Sequence, residues 1–84
     1  MVTNKAEKVV EKYLEDCDAA TWFVITENDK VIGKTWSNAL AFRVVDNLKE
    51  VRTILLMKAK MKIFECRYLH STNEWVISEV ALDA

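Results

Sequence analysis

His70 is the only histidine in the 84 residues, so any acid–base chemistry by imidazole must pass through it. The nearest candidate nucleophile, Cys66, lies four residues earlier. On an extended strand that separation is about 13 Å, beyond the reach of a thiol–imidazole bond. Ser71 and Ser78 have no second histidine to activate them. A triad would have to bring Cys17 to His70 through the fold, with Glu15 or Asp18 orienting the ring, and no motif asks for it. His70 reads as a solvated turn residue, and no catalytic residue is expected.

Metal and nucleotide chemistry fare no better. One histidine and two distant cysteines, Cys17 and Cys66, do not supply the common three- or four-ligand zinc sets. Glu15, Asp16 and Asp18 lack the spacing and the glycine of a calcium loop. They read as the solvated end of a helix, where acids oppose the macrodipole and a basic partner, internal or external, would relieve them. Gly33 is the only glycine, which excludes the familiar glycine-rich phosphate loops. Neither metal nor cofactor is expected.

The remaining candidate is basic. In "MKAKMKIFECRY", residues 57–68, Lys58, Lys60 and Lys62 alternate with apolar side chains. On a strand they would share one face with Phe64, Cys66 and Tyr68. With Arg67 and Trp75 nearby, such a face has the parts to hold a single nucleic-acid strand by phosphate contact and base stacking. The sequence pI near 5.8 argues against that use. Lysines also guard edge strands against edge-to-edge pairing. A solvated edge is therefore the first reading, an acidic protein surface the second and nucleic acid the third. The charge distribution fits this order. Residues 1–30 carry four lysines against seven acids, residues 43–70 carry seven bases against three acids, and residues 71–84 add three acids. A basic middle lies between acidic ends.

The elements that must position these groups follow from periodicity. Ala6, Val10, Tyr13, Leu14 and Cys17 recur at helical spacing, with Thr3 or Asn4 as cap and an end near residue 18. Residues 21–26 and 31–36 flank "ENDK" as a hairpin turning at Asn28–Asp29. Gly33 in the second strand suggests a bulge or a close approach by something packed above it. Ser37 caps a second helix whose stripe runs from Ala39, Leu40, Ala41 and Val44 to Leu48. Residues 51–57 are ambiguous. The stripe extends through Val51 and Leu55, but β-branched Val51, Thr53 and Ile54 favour a strand, which is the reading preferred here. "KAKMKIFECRYL" makes a further strand, "HSTNE" a turn and "WVISEVAL" the last strand.

These elements predict a single α+β domain over residues 1–84, ordered α-β-β-α-β-β-β. Its mostly antiparallel sheet has four to five strands, or four if residues 51–57 continue the second helix. Two helices are expected on one face of it. Trp22, Trp36 and Trp75, with Phe23, Phe42 and Phe64, exceed what so small a chain buries deeply. A second copy is then expected on the other face, unless the helices divide between the faces. There is no apolar leader in the first ten residues, and "ILLM" is too short to span a bilayer. A cytoplasmic protein with reduced cysteines and no membrane partner is expected. The function expected is a small non-enzymatic protein-interaction module: an accessory, adaptor or inhibitor protein of the size class that viruses and mobile elements encode. The alternative is a single-stranded nucleic-acid-binding module using residues 58–68. Partner contacts are expected at Lys58, Lys60, Lys62, Arg67, Tyr68, Trp75 and Trp36.

Overall fold

A computed structural model describes residues 5–82. The chain runs α1 (Lys5–Leu14), β1 (Trp22–Glu27), β2 (Lys30–Thr35), α2 (Asn38–Ile54), β3 (Met61–Leu69) and β4 (Glu74–Val80). The four strands form one antiparallel sheet in the order β2-β1-β3-β4, so β2 and β4 are its edges.

The hairpin turns where the sequence places it. Asn28 and Asp29 both hold positive φ, 51° and 64°, the signature of a type I′ turn that matches the twist of the flanking strands. Asn28 does a second job. Its side-chain Oδ1 accepts the Lys60 N–H at 2.8 Å, and its own N–H donates to the Lys60 carbonyl at 2.9 Å. The β1–β3 ladder is thereby continued past the strand ends. Gly33 marks a bulge: Ile25 faces Gly33 and Thr26 faces Val31, leaving Ile32 as the extra residue. Nothing packs closely above it, because a Cβ added at Gly33 would meet no atom within 4 Å.

Three expectations need correction. Residues 51–54 are helix, not strand, and the sheet has four strands. Two side chains show why the helix prevails over β-branched propensity. The Thr53 hydroxyl donates to the Lys49 carbonyl at 2.8 Å, a bond that only the helical turn offers. Arg52, one turn before the end, forks onto Glu27 at the end of β1, with Nη2 to Oε1 at 2.8 Å and Nε on Oε2. The first helix is also shorter than expected, ending at Leu14 in a turn through Cys17; its caps Thr3 and Asn4 lie outside the described residues.

The third correction concerns the layers. The helices lie on opposite faces of the sheet, not on one. Ala6, Val10 and Leu14 of α1 pack with Val24, Phe64 and Cys66. Ala41 and Val45 of α2 pack with Ile25, Met61 and Ile63. The parity of the central strands requires this. Val24 and Ile25 on β1, like Ile63 and Phe64 on β3, point to opposite faces and are all buried. A single helical layer would leave one of those sets in water.

Thr26 is the flaw in this core. It is fully buried, and its hydroxyl has no hydrogen-bond partner among the described residues. An unsatisfied buried hydroxyl costs more than an apolar group of the same shape. Thr26→Val is expected to raise unfolding stability by about 1 kcal/mol in urea titration. A loss of stability would show that the hydroxyl is satisfied in solution.

Candidate interaction surface

The residues singled out by the sequence do not form one site. Lys58 and Lys60 lie in the connection between α2 and β3, before the strand begins at Met61. Only Lys62 stands on β3, half-buried on the α1 face with Nζ 4.0 Å from Glu79 Oε1. The lysine row therefore does not exist as a strand face. Lys58 and Lys60 precede the regular strand, which begins at Met61.

Tyr68 and Trp75 do meet. They are cross-strand partners on the α1 face, with ring centroids 5.3 Å apart and planes at 69°. His70, exposed in the following turn, sets its ring edge-on to Tyr68 at 5.0 Å. Arg67 belongs to the other face, opposite Val76. Trp36 lies at the far edge of the sheet, just past β2, and is 75% exposed. Cys66 is buried, and that burial, reinforced by nearby Cys17, pushes its thiol up to about 12. A thiol in that state is no nucleophile near neutral pH. Both cysteines are free. Among the described residues no group of three or more His, Cys, Asp or Glu stands close enough to hold a metal ion. No helix among them is long and apolar enough to cross a membrane.

A different surface emerges around α2. Among the described residues ten large apolar side chains are exposed, and nine of them belong to α2, its two ends or the edge strand beside it. The tenth is Leu69. On the helix, Leu40, Val44, Leu48, Val51 and Leu55 follow spacings of four, four, three and four, a continuous stripe. Of this stripe only Leu48 packs partly against the sheet-side core. The sheet-facing positions Ala41 and Val45 lie about a quarter-turn away and are small. The stripe forms the shoulder of α2 on the side of β2.

Between that shoulder and the edge strand runs a groove of about 390 Å³. Ile25 and the open notch at Gly33 line it together with Ile32, Val44 and Leu48. The Glu27–Arg52 pair closes one part of its lining.

The stripe continues into "ILLM", residues 54–57, which the structure holds in a defined shape. Met57 N–H donates to the Arg52 carbonyl at 2.8 Å and Leu56 N–H to the Thr53 carbonyl at 3.0 Å. These are the two bonds of a Schellman C-cap, whose pivot is normally glycine. Here the pivot is Leu56, at φ 56° and 92% exposed. A leucine in the left-handed region costs about 1–2 kcal/mol. Its side chain recovers none of that by burial in this chain. Upstream the segment is pinned by Arg52 on Glu27, downstream by Lys60 on Asn28. Sequence reasoning caught the extended stripe through Val51 and Leu55 but assigned those residues to a strand. The four-four-three-four spacing was the available signal.

With this geometry described, comparison with known proteins adds no relative: no family model, curated protein or solved structure matches the chain.

The Glu27–Arg52 pair sets a pH dependence. The guanidinium hydrogen bonds hold the Glu27 carboxyl below its ordinary 4.5, despite partial desolvation. A depressed carboxyl stabilises the fold above its unfolded value and loses that contribution as pH falls through the lower folded value. Urea midpoints measured from pH 7 downward are expected to fall more steeply below about 4.5 in the wild type than in Arg52→Met. Arg52→Met should be the less stable of the two at neutral pH. Parallel acid limbs in the two proteins would refute the pairing in solution.

Proposed function

We propose that the protein is a small non-enzymatic protein-interaction module, of the accessory, adaptor or inhibitor kind, and that it docks through the α2 shoulder and the tail at residues 54–57. The observation that supports this is the concentration of exposed apolar side chains on one contiguous surface. Scattered exposed leucines are ordinary, but a contiguous patch that includes a strained, fully presented leucine is a docking surface. The two clamps on either side of the tail lower the entropy lost on binding, because the contact residues are already ordered. The basic strand that motivated nucleic-acid binding lacks its row of lysines, and the acidic ends of the chain oppose a phosphate ligand.

Leu56 separates function from folding. Leu56→Gly relieves the left-handed strain and is expected to raise stability by about 1 kcal/mol, read by thermal or urea unfolding. The same change removes a contact side chain. In cross-linked capture from native extract, Leu56→Gly and Val51→Glu are expected to lose a partner that the wild type retains. The triple variant Lys58→Gln, Lys60→Gln, Lys62→Gln is expected to keep it. Loss in the triple variant with retention in both apolar-surface variants would reject this surface. Micromolar oligonucleotide binding that weakens with salt by about 0.7 log units per phosphate contact and vanishes in the triple variant would favour the nucleic-acid reading instead.

A further inference from the structure

The docking surface has an internal symmetry that specifies an occupant. We propose, building on the reading of this surface as a protein-docking face, that it takes a second copy of the chain. The two α2 helices pack antiparallel about a two-fold axis passing between Asn47 and Leu48.

Apart from Leu48, which lies beside the axis and faces the partner's Asn47, the apolar stripe is palindromic about that point. An antiparallel helix centred there sets Leu40 against the partner's Leu55 and Val44 against the partner's Val51, and the two-fold repeats both pairs. An isologous interface requires this self-complementarity, since one patch must serve both sides. The axis also lies close to the middle of α2, so the helices overlap over nearly their full length. The tail at Leu56 and Met57 of one copy is carried to the N-terminal end of the partner's α2. There the partner's Trp36 precedes the helix cap. The most exposed apolar groups of the two ends therefore cover one another.

Charge fixes the orientation. Arg43 and Glu50 are exposed on the outer flank of the stripe, and neither forms an ion pair among the described residues. In the antiparallel arrangement Arg43 lies beside the partner's Glu50, and Glu50 beside the partner's Arg43. A parallel two-fold pairing would turn Arg43 and Glu50 of the two copies onto opposite flanks of the helix pair, where neither meets its complement. Pairing through the β2 edge is opposed by like charge. Centred on Ile32, it sets Lys30 against the partner's Lys34, and the bulge interrupts the ladder.

Sedimentation equilibrium on the full chain tests this. The wild type is expected to approach twice its mass of 9.7 kDa as concentration rises. Val44 is already partly exposed, so Val44→Glu keeps the fold by circular dichroism. It is expected to weaken association on the order of a hundredfold or more, because a charge is then buried at two related sites. Arg43→Glu alone and Glu50→Arg alone are each expected to weaken it about threefold to tenfold, and the double variant to recover wild-type affinity. That recovery is specific to the antiparallel arrangement. A dimer unaffected by Val44→Glu, or single charge reversals that the double variant does not rescue, would overturn the proposal. A wild type that stays monomeric into the millimolar range would also overturn it. If that monomer still captured another protein in a Leu56-dependent way, the docking face would stand with a different occupant. If it captured none, both readings would fall.

Discussion

The fold depends on one constraint: the two central strands are apolar on both faces. Val24 with Ile25, and Ile63 with Phe64, put fully or nearly fully buried side chains on opposite sides of the sheet. Each such pair needs cover above and below. Among the described residues only two helices are available. One must go to each face, and neither face receives more than one. The three-layer arrangement follows from strand parity before any helix–sheet contact is considered.

A single helix is a narrow cover for a four-stranded sheet. Each helix meets this limit differently. α1 is short and has one clean stripe, Ala6, Val10 and Leu14, all buried. α2 has apolar residues over roughly two thirds of its circumference, more than one sheet face can absorb. It buries Ala41 and Val45 against the sheet, packs Phe42 and Leu48 partly against the same core, and keeps Leu40, Val44, Val51 and Leu55 on the shoulder. Small contacts let the helix approach the strands closely. The consequence is that Leu40, Val44, Val51 and Leu55 are left only partly covered. The exposed surface is thus the remainder of a packing problem that two helices and four strands do not solve alone.

The elements with strong local chemistry were legible in the sequence. The Asn28–Asp29 turn, the Ser37 cap and the bulge beside Gly33 all rest on residue types whose conformational preferences are local. The α+β class was legible for the same reason. Residues 51–57 were not, because propensity and periodicity disagreed there. The deciding contact, Arg52 on Glu27, joins residues far apart in sequence. The layer arrangement is recoverable from parity, since Val24 and Ile25 are adjacent apolar residues that a strand must point opposite ways. It was missed by assuming a sheet with one wet face. The lysine row failed for a finer reason. Parity predicts a shared face only where a strand is regular, and β3 begins only at Met61, after Lys58 and Lys60. The α2 shoulder could not be read as exposed until the helix was placed, because an apolar stripe in sequence looks the same whether it is buried or not.

The proposed association would couple to the stability of the fold. A domain this small buries only about 60 to 65% of the surface its unfolded chain exposes, so its stability margin is narrow. It nevertheless leaves its longest apolar stripe partly exposed, keeps a leucine at a position that glycine would fill with less strain, and carries at Thr26 a hydroxyl with no partner among the described residues. The first two lie on the same surface; the third is on the opposite side of the sheet and shares no contact with it. Two deviations in one place point to a use that the third does not share. Any occupant that binds the folded shoulder and not the unfolded chain adds its binding free energy to the stability of the fold. The surface that weakens the isolated chain is then the one through which a bound partner strengthens it.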